Sequence, residues 1–219
     1  MIGMAVTLYA VALLCIAAIP FWKLRGNLTA LQYGAHMMLF VALAGVVLGD
    51  IFPQFTTWAI LAYAFSEELP RGVLLYLLVI AGTGGIAQRA ILGATFGWLE
   101  LFIKLYTEFS AGSATIDALP YLGVVGGESV LFHIVISVVI YRNLKSPGQL
   151  IWSIILATLL HTAANLFVQN EVFGVADNLA KYVLPSTCLL IVYALMLGIA
   201  CFRKLRSGEV RRLLSAWRQ

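Results

Sequence analysis

The chain has 219 residues, 62% of them hydrophobic and 11% charged, with a mean hydropathy of +0.95 and a formal net charge of +4. A soluble domain is about half apolar and about a quarter charged, so this composition excludes one and describes a chain made for lipid. A transmembrane barrel is excluded as well: its strands read as ~10-residue alternating segments, whereas the apolar runs here approach or exceed the ~20 residues of a spanning helix.

In chain order the apolar runs predict seven spans, at roughly 2–22, 30–49, 55–82, 86–106, 121–141, 149–169 and 179–203. The expected fold is an all-α polytopic transmembrane helical bundle forming a single domain over 1–219. The first span lacks a basic leading region, is long, and is followed by Lys23 and Arg25, which distinguishes it from a cleaved signal peptide. Lys and Arg set the orientation. With the N-terminus outside and the C-terminus cytoplasmic, eleven of the fourteen fall inside: Lys23, Arg25, Arg89, Arg142, Lys145, Arg203, Lys204, Arg206, Arg211, Arg212 and Arg218. Lys104 and Lys181 fall outside, and Arg71 is left within the membrane.

This distribution explains the basic balance without a nucleic-acid partner. The tail 203–219, "RKLRSGEVRRLLSAWRQ", interleaves Leu213, Leu214 and Trp217 with its cations and suits a helix lying on the anionic inner leaflet. Cys15, Cys188 and Cys201 lie in apolar runs without metal-finger or CxxC spacing and read as small core or lipid-facing residues.

Few ionisable residues remain within the spans: His36 on the second, Glu67, Glu68 and Arg71 on the third, Glu100 on the fourth, Glu128 and His133 on the fifth, His161 on the sixth. A charged group at the bilayer centre costs at least ~2.5–3.5 kcal/mol on insertion scales, so such groups pair, line a wet cavity, or both. His36 has no companion in its span and reads as a packed or interfacial histidine. The others lie on four helices at comparable depth, in the central to outer half of the membrane. His161 and Asn165 in "HTAAN" share a helix face at i,i+4, as do Ser129, His133 and Ser137. Arg71 is spaced to pair with Glu67 (i,i+4) or Glu68 (i,i+3), leaving the other acid free. Pro70 removes a helical hydrogen bond and is expected to kink the third span near Ser66, making room for water. Gly93 and Gly97 form a small-xxx-small face that would pack tightly and carry Glu100 into the bundle. Glu100 is also spaced to pair with Lys104, and Glu128, beside Gly126 and Gly127, reads equally as a helix-entry residue.

A carboxylate in a low-dielectric cavity can act as general base or acid near neutral pH. A neutral imidazole and an amide can orient water or stabilise an oxyanion. One glutamate, two histidines and an asparagine thus suit hydrolysis of a peptide bond within a membrane. Glu with two His is also a plausible zinc set, but HExxH is absent, so metal-free catalysis is favoured, with zinc left open. No GxSxG marks a serine nucleophile, and no aspartate lies deep in a span to build an aspartyl dyad.

The ordered set "EELPR", "FGWLE", "ESVLFHIVISVVIY" and "HTAAN" on successive helices resembles the glutamic-type intramembrane proteases of the PrsW and YhfC kind. These are related to the CAAX-processing membrane proteases and to the γ-secretase scaffold subunit. The resemblance covers roughly residues 60–170, within an expected catalytic core of about 55–170, and is closest to the YhfC-like proteins. The CAAX-type pattern has three residues between the di-glutamate and the arginine, where Leu69 and Pro70 make two, and Phe four before its first catalytic histidine, where Ser129 stands here. PrsW has lysine at the position of Arg71.

The resemblance implies an integral-membrane endopeptidase acting on a membrane-embedded or membrane-tethered polypeptide. It implies a water-activating base within Glu67 and Glu68, assistance from His133, an oxyanion site at His161 and Asn165, and an auxiliary carboxylate at Glu100, with Arg71 and Glu128 as binding or structural support. No cofactor is implied. The expected location is a bacterial or archaeal cytoplasmic membrane. Two other function classes stay open: a non-catalytic scaffold that holds a partner's helix, and a proton-coupled transporter using the buried acids and histidines as relay groups. Against the transporter, the chain shows no internal repeat.

Overall fold

The computed structural model describes residues 2–23, 27–51, 57–110 and 119–172. The expected seventh span, the basic tail, Cys188 and Cys201 lie outside these residues. Within them the chain is helical, with no strand. Six helices follow in order: α1 (Ile2–Ala18), α2 (Leu28–Ile51), α3 (Thr57–Ile80), α4 (Ile86–Ser110), α5 (Leu119–Val139) and α6 (Pro147–Val172). A short 3-10 turn, Ile140–Asn143, joins α5 to α6.

Among the described residues, four stretches are long and apolar enough to cross a membrane: Leu28–Gly45, Ile86–Ile103, Leu122–Asn143 and Pro147–Leu166. α3 has the length, at 24 residues. What sets it apart is the charge it carries in Glu67, Glu68 and Arg71, and the fold turns that charge inward: Glu68 and Arg71 are fully buried. Large apolar side chains cover the outside instead, among them Leu39, Leu43 and Val47 on α2 and Trp152, Ile155 and Leu159 on α6. Exposed hydrocarbon around a polar interior is the distribution that a lipid solvent favours.

The helices pack in the order α1–α5–α4–α2–α3–α6, with α6 returning to the 3-10 turn at the end of α5. The α4–α5 contact is the most extensive, and small residues make it close. A Cβ on Gly97 would stand 2.7 Å from the Val130 Cα, and one on Gly93 would meet the His133 carbonyl oxygen and, at 2.7 Å, the Ser137 hydroxyl. The expected glycine face of α4 therefore seats the Ser129–His133–Ser137 stripe of α5. Backbones can approach this closely only where side chains are absent. α3 runs unbroken through Pro70, and the Ser66 hydroxyl donates to the Tyr63 carbonyl at 2.8 Å. His36 is exposed on α2, its Nδ1 2.8 Å from the Gln32 carbonyl.

The helix contact yields a stability test. Gly93→Ala is expected to lower the unfolding midpoint in detergent by an amount corresponding to about 1–3 kcal/mol, the usual cost of overpacking. Gly148→Ala, where an added Cβ meets nothing within 4 Å, is expected to leave the midpoint unchanged or slightly raised. Thermal unfolding of both variants checks this.

Candidate active site

The buried ionisable groups of α3, α4, α5 and α6 meet in one hydrogen-bonded chain. It starts at Arg71, whose Nη1 donates to Glu68 Oε1 at 2.5 Å. Arg71 Nη2 donates to His133 Nδ1, and the guanidinium carbon lies 5.0 Å from the Phe96 ring centre, in cation–π range. An arginine only donates, so His133 Nδ1 must accept and Nε2 must carry the ring proton. That nitrogen lies 2.6 Å from Glu100 Oε2, an oxygen that also accepts from the Ser129 hydroxyl at 3.2 Å. Phe96 meets the His133 ring edge-on, with centroids 4.7 Å apart. Both nitrogens of His133 and the plane of its ring are thereby fixed.

On the other side of Arg71, Glu68 Oε1 also contacts His161 Nδ1 at 2.9 Å. A carboxylate only accepts, so His161 Nδ1 carries a proton. Its Nε2 is turned toward Glu67 Oε2, 3.6 Å away. Phe132 packs edge-on against His161 at 5.0 Å, and the two histidine rings are 5.3 Å apart. The Glu68 side chain is fully enclosed, whereas 13% of the Glu67 side chain is exposed.

The two adjacent acids thus have different surroundings. Glu68 is saturated by Arg71 and His161 and, through Oε2, by the Tyr141 hydroxyl at 3.1 Å. Glu67 faces a histidine nitrogen through Oε2, itself buried, while 13% of its side chain is exposed. The 3.6 Å between Glu67 Oε2 and His161 Nε2 is longer than a direct hydrogen bond.

Glu67, His133 and His161 each offer one ligand atom within 4.8 Å of the others. Their existing bonds decide whether a resident metal fits. His133 has no open lone pair: Arg71 holds one nitrogen and Glu100 the other. Coordination would have to break one of these bonds beside a guanidinium cation. The donor set as arranged does not fit a three-ligand metal site, and the chemistry below uses none.

The structure brings together Glu67, Glu68, Arg71, Glu100, His133 and His161 in this network. Asn165 lies one helical turn beyond His161, partly exposed, and Glu128 is buried on α5 next to Ser129. Glu100 turns to His133 and Ser129.

Two members escaped the sequence reading. Arg89, expected in a cytoplasmic segment, is buried in the first turns of α4, where Nε donates to the Gly84 carbonyl at 2.8 Å and Nη1 to the Tyr141 carbonyl at 2.5 Å. The carbonyls of a turn and of a helix end supply the acceptors that draw this cation in. Tyr141 continues the i,i+4 stripe of Ser129, His133 and Ser137 by one more turn, and Arg89 continues Gly93 and Gly97 in the opposite direction. Extending each stripe by four residues would have found both.

Comparison of the chain with protein-family models, curated proteins and solved structures finds no match.

The unequal surroundings of the two acids have a measurable consequence. Glu68→Gln leaves the Arg71 cation buried without its anion and is expected to cost about 3–5 kcal/mol. Glu67→Gln is expected to stay within about 1 kcal/mol of wild type. Unfolding of the two single variants in the same detergent separates them.

Proposed function

We propose that the protein is an intramembrane endopeptidase that hydrolyses a peptide bond of a membrane-embedded or membrane-tethered polypeptide with a water activated by Glu67. The observation that carries this reading is the pair of Glu67 Oε2 and His161 Nε2, 3.6 Å apart, with the opposite face of His161 held by Glu68. The resemblance to the PrsW and YhfC kind of glutamic membrane protease points the same way. The proposal includes seven spans, an outside N-terminus, a cytoplasmic C-terminus, and a place in a bacterial or archaeal cytoplasmic membrane.

In the proposed reaction, the water hydrogen-bonds to His161 Nε2 and Glu67 Oε2. As its oxygen attacks the scissile carbonyl carbon, its proton passes to Glu67. The carbonyl oxygen becomes an oxyanion, for which the Asn165 amide is the candidate donor. Collapse of this intermediate breaks the C–N bond while Glu67 returns the proton to the leaving nitrogen. The products are a carboxyl group and an amine, and no covalent enzyme intermediate forms. Glu68, Arg71, His133 and Glu100 hold the geometry and do not touch the reacting atoms.

The same network weighs against a proton relay between Glu67 and Glu100. The path traced by the bonds above, from Glu67 through His161, Glu68, Arg71 and His133 to Glu100, includes a guanidinium that donates to both its neighbours. A relay needs groups that both accept and donate protons, and a guanidinium does not accept.

Two outcomes test the reading. In liposomes, wild-type protein is expected to cleave a single-span reporter peptide, and Glu67→Gln to lose activity by about 10²–10⁴-fold while keeping its unfolding midpoint. Cleavage is also expected to persist after exhaustive chelation. Elemental analysis showing stoichiometric zinc, with activity lost on its removal, would contradict the metal-free mechanism.

A further inference from the structure

Tyr141 has no part in the reaction just described, yet it is fully buried and its polar atoms are engaged at both ends. Its hydroxyl lies 3.0 Å from the Glu68 carbonyl oxygen and 3.1 Å from Glu68 Oε2, so its one proton serves the main chain and the side chain of the same residue. Its own carbonyl accepts from Arg89 Nη1, and Arg89 Nε is tied to the Gly84 carbonyl in the α3–α4 turn. The neighbouring Ile140 carbonyl accepts from the Ser153 hydroxyl of α6 at 3.3 Å. The ring passes close to α3 at Gly72, where a Cβ would stand 3.0 Å from Tyr141 Cε1 and 2.7 Å from Ile154 Cγ1. The end of α5 is thus pinned by α4 and α6, and the tyrosine reaches from it toward α3.

We infer that Tyr141 is a positioning residue for the active site, acting through Glu68 on the orientation of His161. Arg71 and His161 both bond to Oε1 of Glu68. Contacts to one oxygen leave the carboxylate free to swing about its last torsion, which is broad and soft. The Tyr141 hydroxyl engages the second oxygen and removes that freedom. With the carboxylate plane fixed, Oε1 stays on His161 Nδ1, and Nε2 stays directed at Glu67. A phenylalanine would fill the same space, so packing alone does not call for the hydroxyl.

The kinetic arm of the test rests on the proteolytic reading, and a spectroscopic arm stands apart from it. Tyr141→Phe, Gly72→Ala and the control Tyr76→Phe are reconstituted with the reporter peptide. Their histidine ring nitrogens are followed by ¹⁵N magnetic resonance. Tyr141→Phe is expected to lower kcat about tenfold, as for loss of a hydrogen bond to a charged group, with KM within about twofold of wild type. The distinct ¹⁵N shifts of His161 Nδ1 and Nε2 are expected to move toward each other as the ring loses its fixed partner. Gly72→Ala keeps the hydroxyl but displaces the ring and is expected to change both readouts in the same direction; Tyr76→Phe is expected to change neither. A wild-type kcat in Tyr141→Phe, or a fall in kcat with the His161 spectrum unchanged, would overturn the inference. Should the wild-type protein itself not cleave, the proteolytic reading fails, and the His161 spectrum alone decides the role of Tyr141.

Discussion

A fully buried arginine is the constraint around which this bundle is arranged. A guanidinium with no access to solvent must find all its compensation inside the protein. Arg71 finds one carboxylate, Glu68, one turn away on its own helix, and one neutral acceptor, His133, on α5. The aromatic face of Phe96 lies alongside. Each partner is then constrained in turn. His133 accepts at Nδ1, so it must donate at Nε2, and Glu100 of α4 is there to receive. Glu68 is neutralised on one side, so His161 of α6 can share the same oxygen. One cation thereby links the polar groups of four helices.

The arrangement divides the work between two adjacent acids. Side chains at successive helical positions point ~100° apart, so Glu67 and Glu68 cannot occupy the same environment. Glu68 takes the buried, fully bonded position and becomes part of the scaffold. Glu67 keeps 13% of its side chain exposed, with Oε2 3.6 Å from His161 Nε2, and in the proposed reaction it is the base. In the proposed reaction the surrounding network is oriented before substrate arrives, which is how fixed dipoles and charges contribute most in a low-dielectric site.

Much of this was legible from local spacing. The i,i+3 relation of Glu68 to Arg71, the glycine face of α4 and the Ser129–His133–Ser137 stripe each follow from helical periodicity, and all reappear as contacts. Comparable depth on four expected spans grouped Glu67, Glu68, Glu100, His133 and His161, which meet in the structure, and grouped Glu128 and Asn165 with them as well. The identity of the paired acid was not legible, because it depends on where α6 lies relative to α3, which no local pattern fixes. Tyr141 and Arg89 were missed for a related reason. Both sit at helix ends: Arg89 was grouped with the cytoplasmic cations and Tyr141 closed the fifth span, and no local pattern showed that either is buried against other helices. The glycines were informative because their effect is steric and short-ranged. Asn165 was placed with the site through its spacing to His161, but that spacing fixes only a shared helix face, one turn away from the chain of bonds.

The central claim is that Arg71 fixes His133 as a neutral ring, accepting at Nδ1 and donating at Nε2. The ¹⁵N spectrum of His133 in the folded protein at neutral pH, assigned by its loss in a His133→Gln variant, tests this most directly. The account requires one nitrogen with the shift of an unprotonated acceptor and one with that of a protonated donor, the donor signal being the one perturbed by Glu100→Gln. Two protonated nitrogens would contradict it, because an imidazolium cannot accept from Arg71 and the chain of constraints would lose its first link.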